Sequence, residues 1–118
     1  MTLQHVSLET RREDADREVF FWGLLGFVAV DPPPGLRDVA RWVSRHGTQI
    51  HLLYADDPVV MPRGHVAVVV DDYEATAASL EAAGHPVEPR TPHWHTPRGF
   101  VRSPAGHRVE VMATPAPG

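Results

Sequence analysis

Alternating apolar and polar residues predict two similar β-strands that lie far apart in the chain. In LQHVSLET, residues 3–10, His5 alternates with aliphatic residues, which is the period-two pattern of a strand with one buried face. In RGHVAVVVDD, residues 63–72, His65 stands in the matching place, 60 residues after His5. Both stretches therefore predict a strand that carries one histidine near its start.

Two further landmarks repeat with nearly the same offset. TQIHLLYA around His51 and HRVEVMAT around Glu110 are strand-like segments 59 residues apart, and the helix-ending glycines Gly26 and Gly84 are 58 apart. Such self-similarity is typical of a duplicated module. We predict a single α+β domain, residues 1–118, of two βαβββ modules, approximately 1–56 and 63–113, that form a mixed sheet.

One helix is predicted in each module. The first begins with a capping box of Thr10 and Glu13 and ends near Leu24, and the second begins at an N-cap, Asp71 or Asp72, and ends near Ala83. The residues expected on the buried faces are Ala15, Val19, Phe20 and Trp22 in the first helix, and Tyr73, Ala77 and Leu80 in the second.

Two hairpins are also predicted. In the first module, residues 36–44 and 48–54 form a hairpin that turns at His46-Gly47, which would place Trp42 opposite His51. In the second module, a proline-rich loop over residues 88–99 precedes a strand that begins at Phe100 and pairs with residues 107–112.

Composition narrows the possible functions and locations. The 118 residues are 42% hydrophobic with a net charge of −4, which is typical of a globular protein and gives no basic face for nucleic acid. All 11 basic residues are arginines, and there is no cysteine, which excludes a lysine Schiff base, thiolate ligands and disulfides. We also expect no membrane span and no signal peptide, hence a cytoplasmic protein.

The strand pattern gathers polar groups on one face of each predicted sheet. His5 shares its face with Ser7, His51 with Gln49, and Glu110 with Arg108, while the opposite faces are aliphatic. Burying ionisable groups without partners costs several kcal/mol each. Imidazole and carboxylate are common ligands of divalent ions. The pattern therefore predicts one divalent metal ion, held by His5, His51, His65 and Glu110.

The chain resembles the vicinal oxygen chelate superfamily, the glyoxalase/bleomycin-resistance/dioxygenase group. The resemblance rests on LQHVSLET, FFWGLLGF, TQIHLL, GHVAVVVDD and FVRSPAGHRVEVM, and covers residues 3–113. It implies a cup-shaped sheet that holds the metal, usually within a homodimer. By position, His5, His65 and Glu110 match the commonest ligands and His51 the fourth. Ser103 and His107 replace the family's usual aspartate and asparagine in the last turn.

This resemblance implies a small metal-dependent enzyme of isomerase or lyase type. The ion, which could be Zn, Ni, Mn or Fe, would chelate vicinal oxygens of a small molecule and stabilise an anion. Glu110 is the candidate catalytic base, and the candidate substrate-binding residues are Ser7, Trp42, Gln49 and Arg108. The alternatives are a non-catalytic binding or antibiotic-resistance protein of the same fold, a dioxygenase, or a fosfomycin-modifying relative.

Overall fold

A computed structural model describes residues 2–118 and divides the chain into two compact units, Met1–Val60 and Met61–Gly118. Each unit has the order strand, helix, strand, strand, strand. Each also contains one four-stranded mixed sheet. The predicted α+β class and the repeated βαβββ order are therefore confirmed.

The first unit contains five regular elements. They are β1 (His5–Thr10), α1 (Ala15–Leu24), β2 (Val28–Val30), β3 (Ala40–Arg45) and β4 (Thr48–Tyr54). The sheet order is β1-β4-β3-β2, with β1 parallel to β4 and the other pairs antiparallel. The first strand thus returns to pair with the last strand of its own unit.

The second unit repeats this arrangement. Its elements are β5 (Val66–Val69), α2 (Tyr73–Ala82), β6 (Glu88–Pro89), β7 (Arg98–Arg102) and β8 (Arg108–Met112). The order is β5-β8-β7-β6, and again only the first and last strands are parallel. Pro89, which has no N–H to donate, lies on the edge strand β6, where a proline is tolerated.

The aliphatic face of each sheet is buried as predicted. Ile50 and Leu52 of β4 are 1% and 0% exposed, and Val109 and Val111 of β8 are both 0% exposed. Each such side chain contributes about 1.5–3 kcal/mol when it leaves water. Helix α1 contacts β2, β3 and β4, so the core of the first unit lies between that helix and its sheet.

The predicted capping box at the start of α1 is wrong. Thr10 is the last residue of β1, pairs with Tyr54, and donates its hydroxyl to the carbonyl oxygen of Arg11. A 3-10 turn, Arg12–Asp14, then separates the strand from the helix. Because Thr10 completes the parallel ladder, its backbone is extended and the helix begins later.

The buried stripe of α1 was only partly predicted. Ala15 and Trp22 are buried, but Phe20 is 62% exposed while Phe21 is 0% exposed. Glu18 is also 0% exposed and accepts a hydrogen bond from Trp22 Nε1 at 3.4 Å. A glutamate therefore lies on the buried face of α1. A prediction from hydrophobicity alone misses Glu18 and selects Phe20 instead.

Three other local predictions are confirmed. His46 and Gly47 have φ values of 50° and 81°, as the two-residue turn of the β3–β4 hairpin requires. The Asp72 side chain caps α2 by accepting a hydrogen bond from the Ala75 amide at 3.0 Å. Trp42 lies opposite His51 in this hairpin.

Two strand boundaries differ from prediction. β3 begins at Ala40 rather than Leu36, because residues Pro34–Leu36 form a 3-10 turn. β7 begins at Arg98 rather than Phe100, which shortens the predicted proline-rich loop. Within residues 2–118, none of the helices has the length and apolar character needed to cross a bilayer.

Gly99→Ala is expected to destabilise the protein. A Cβ at Gly99 would lie 2.6 Å from Val87 Cγ1 and 2.8 Å from the Glu88 carbonyl oxygen. Overpacking of this kind costs about 1–3 kcal/mol. Urea unfolding followed by circular dichroism should therefore show an earlier transition.

The matched control is Gly23→Ala in α1, where an added Cβ meets no atom within 4 Å. This change should stabilise the helix by about 0.5–1 kcal/mol. Equal unfolding curves for the two variants would contradict the predicted close approach at Gly99.

Candidate functional site

The second unit brings His65 and Glu110 into contact. His65 immediately precedes β5, and Glu110 lies in the middle of β8, where it pairs with Ala67. Because side chains two residues apart share a face of a strand, His65 is on the Glu110 side of the sheet. His65 Nε2 and Glu110 Oε1 are 3.2 Å apart.

A backbone carbonyl fixes which nitrogen of His65 faces Glu110. His65 Nδ1 is 2.9 Å from the carbonyl oxygen of Arg63, and because a carbonyl oxygen only accepts, Nδ1 carries a proton and donates it. Nε2 therefore either carries a second proton or turns a lone pair toward the Glu110 carboxylate. In the second case a shared proton or a metal ion between the two groups would relieve the repulsion of their lone pairs. Metal-bound histidines generally donate their other N–H in this way.

Arg98 holds the other oxygen of Glu110. Glu110 is 7% exposed, and its Oε2 accepts a hydrogen bond from Arg98 Nη1 at 3.1 Å. A carboxylate buried to this extent needs a charged partner, and Arg98 on the neighbouring strand β7 supplies it. Arg98 was missed from sequence because β7 was predicted to begin two residues later.

The first unit instead forms a stack of three rings. The Trp42 ring lies over the His51 ring with centroids 3.9 Å apart and planes inclined by 3°. On its other side, His51 stacks on His5 at 4.1 Å and 13°. Trp42 and Ser7 are the cross-strand neighbours of His51, and His5 is two residues before Ser7 on the same face of β1. The register therefore brings the three rings together.

Side-chain amides fix the protons of the two stacked histidines. His51 Nε2 lies 2.7 Å from Gln49 Oε1, and His5 Nδ1 lies 2.6 Å from Gln4 Oε1. Because an amide oxygen only accepts, these ring nitrogens donate. Burial within the stack lowers the pKa of His51, and the nearby charge of His5 lowers it further. A lowered pKa favours the neutral ring, which is the form that binds a metal ion.

The donor groups of the second unit fit a divalent ion. Bonds of about 2.0–2.2 Å to nitrogen and oxygen place two ligands of one ion roughly 3–3.5 Å apart, which matches the spacing between His65 and Glu110. Two nearly parallel imidazoles cannot both aim in-plane lone pairs at one point. A shared ion would therefore require the ring of His5 or His51 to turn.

Among residues 2–118, no group of three or more histidine, aspartate or glutamate side chains is placed as a metal centre requires. The structure brings His5 to His51 and His65 to Glu110, each pair within its own unit. The set of four ligands stays a prediction.

The predicted substrate-binding residues fall into two groups. Ser7, Trp42 and Gln49 surround His51, through register or direct contact. Arg108 lies in the second unit, with its guanidinium 3.8 Å from the centroid of the Phe100 ring. Phe100 was not singled out from sequence, although its alternation with Arg98 and Arg102 along β7 indicates a shared face.

A comparison with protein families decides the affiliation of this chain. Residues 6–112 match the family model described as a glyoxalase-like domain. The chain belongs to this family. The predicted relationship to the vicinal oxygen chelate superfamily is thereby confirmed.

Individual relatives agree with this assignment. A 62-residue part of the chain is 36% identical to Glyoxylase I 4 of Arabidopsis thaliana and spans 52% of this chain, but only 35% of that protein. Among solved structures, a Bacillus anthracis protein assigned to the glyoxalase family has a TM-score of 0.84 at 20% identity, covering 95% of this chain and 93% of that one. Lactoylglutathione lyase from Agrobacterium tumefaciens gives 0.69 at 22% identity, covering 94% and 92%. At these identities, the structures show a shared fold.

In metal-free protein, His51 is expected to titrate below its ordinary pKa of 6.5, because its ring is buried and lies beside His5. The part of the free energy of unfolding that depends on neutral His51 should be fully present above pH 6.5. It should be lost as the pH falls through the lowered pKa of His51 in the folded protein. NMR titration of the His51 ring, assigned with His51→Gln, measures this. A midpoint at or above 6.5 would contradict the burial argument.

Proposed function

We propose that this chain is a glyoxalase-like metalloenzyme of isomerase or lyase type that acts on a small oxygenated molecule. One observation carries the proposal: His65, with its Nδ1 proton donated to the Arg63 carbonyl, presents Nε2 to a buried carboxylate at 3.2 Å. This arrangement supports His65 and Glu110 as ligands of a divalent ion. His5 and His51 remain the further ligands predicted from sequence.

The bound ion would supply Lewis-acid chemistry, stabilising negative charge on adjacent substrate oxygens. The chain's own residues supply orientation and proton transfer. The Arg63 carbonyl fixes the His65 ring, and Arg98 holds one oxygen of Glu110. The other oxygen, Oε1, would be the candidate acceptor for a substrate proton when it is displaced from the ion, with Glu110 as the base.

A second candidate function is binding of a small molecule without metal or catalysis. The ion pair between Arg98 and Glu110 at 3.1 Å favours it, because the guanidinium already balances the buried carboxylate. The stack of Trp42, His51 and His5 also favours it, since aromatic rings are common in the walls of small-molecule sites.

Metal content separates these functions. Protein purified without an affinity tag and without added metal should carry a divalent ion by elemental analysis, and His65→Ala should lose it while circular dichroism stays unchanged. Loss is expected because one of the two supported ligands is removed.

The control for this experiment is His46→Asn. It also removes one imidazole, but from the exposed β3–β4 turn, where φ is 50° and asparagine is well tolerated. This variant should keep its metal. A metal-free wild type, or equal metal content in His65→Ala and His46→Asn, would favour the binding function instead.

The chain is also proposed to form a homodimer that binds a small molecule. Several apolar residues of the first unit are exposed, including Phe20 at 62% and Val28 at 64%, and such surface is commonly covered by a partner. Size-exclusion chromatography with light scattering should give twice the 13.0 kDa chain mass. A mass of one chain at micromolar concentration would contradict this proposal.

A further inference from the structure

The second unit contains an open pocket of about 570 Å³ on the same face as His65 and Glu110. Its wall includes Arg90, Phe100, Arg102 and Arg108, together with Glu88 from β6. This volume is within the range of small-molecule sites. Neither the candidate metal ligands nor the aromatic stack of the first unit requires so many arginines around one cavity.

The pocket has an excess of positive charge. Arg90 is 3.5 Å from Glu88, the one carboxylate in the pocket wall. Arg102 donates a hydrogen bond to the carbonyl oxygen of Gly106 at 3.1 Å. In the part of the chain from Thr2 to Gly118, neither Arg102 nor Arg108 forms an ion pair. Two of the three guanidinium groups are therefore not balanced by a carboxylate.

Strand register holds these two charges together. Arg102 and Arg108 are directly opposite each other in the antiparallel pair of β7 and β8. Like charges at directly opposed positions destabilise a sheet. An anion bound between the two side chains would reverse this repulsion into attraction.

Phe100 orders the arginines for such a contact. The guanidinium of Arg108 lies 3.8 Å from the ring centroid, and that of Arg90 lies 5.3 Å from it. A guanidinium stacked by its face keeps its in-plane N–H donors available, and their fork matches the oxygens of a carboxylate or phosphate.

The same ring connects the pocket with the candidate catalytic pair. Phe100 contacts His65 edge-to-face, with ring centroids 4.9 Å apart, and pairs with Glu110 across the ladder. A small ligand whose charged end lies beside Arg108 can therefore extend past Phe100 toward His65 and Glu110.

We propose that Arg102 and Arg108, with Arg90 at the rim, bind an oxyanion group of the substrate, either a phosphate or a carboxylate. The substrate class is then a small anionic molecule, a statement that rests on the proposed function. Two unbalanced guanidiniums favour a doubly charged group over a singly charged one.

The test uses the whole protein after metal removal with EDTA and dialysis, so that no ion contributes to anion binding. Inorganic phosphate and acetate are titrated at pH 8 while backbone amide NMR signals are followed. Phosphate should bind more tightly than acetate and shift the signals of β7 and β8. If acetate binds more tightly, the oxyanion is a carboxylate and the preference for double charge is wrong.

Arginine variants decide whether these side chains form the site. Arg102→Gln and Arg108→Gln should each weaken phosphate binding about tenfold, because each removes a charge-assisted hydrogen bond. Arg11→Gln removes the same charge from an exposed residue outside the described lining of this pocket. It should leave the affinity within about twofold, since exposed charges that do not contact the ligand are screened by salt. The NMR spectra themselves report whether each variant is folded.

Equal phosphate affinity in all three variants, or shifts confined to residues outside β7, β8 and the segment around Arg90, would overturn the proposal. His65→Ala separates this result from the metal assignment, because it should lose the metal and keep phosphate binding. Metal loss with intact phosphate binding supports both proposals. The wild type could contain no metal and still bind phosphate in a way that depends on Arg108. This result would reject the metalloenzyme proposal and keep the anion-site proposal.

Discussion

The arrangement of each unit depends on one backbone constraint, the parallel pairing of its first and last strands. In β1 with β4 the register sets Ser7 beside His51 and Leu8 beside Leu52, and in β5 with β8 it sets Val68 beside Val111. One face then forms the core, where Ile50 and Val109 are almost fully buried. The other face collects the ionisable groups. A shift of one residue in either pairing would exchange the two faces.

The polar face of the second unit is organised by the charge of Glu110. Its carboxylate is buried, and each oxygen has one nitrogen partner, His65 on one side and Arg98 on the other. The arginine stabilises the ionised carboxylate, and His65 is held in one orientation by the Arg63 carbonyl. These contacts fix the positions of the two side chains. Only the state of His65 Nε2 can still change, between a lone pair and a proton, and a metal or a substrate would bind there.

The two units have the same backbone plan but different side-chain chemistry. The first unit stacks Trp42, His51 and His5, an aromatic arrangement in which burial lowers the pKa of His51. The second unit uses ion pairs and a phenylalanine flanked by arginines. A duplicated fold therefore supports distinct roles in its two halves, because the ladders fix positions while the residues at those positions differ.

The sequence by itself determined the repeat, the class of fold and several local features. Period-two alternation identified the strands, and the His46-Gly47 turn placed Trp42 opposite His51. The helix cap was narrowed to Asp71 or Asp72, and Asp72 is the cap. These features depend on short-range backbone geometry, which neighbouring residues specify.

Tertiary structure decided the features that depend on long-range contacts. The burial of Glu18 follows from the packing of α1 against β2, β3 and β4. The extended conformation of Thr10 follows from pairing with Tyr54, 44 residues away. The ion pair of Arg98 with Glu110 can be recognised only when β7 is known to begin at Arg98. The stacking of His5 on His51 also depends on how rings pack across a parallel ladder. Periodicity gives the face of a side chain, but only packing fixes its rotamer and its partner.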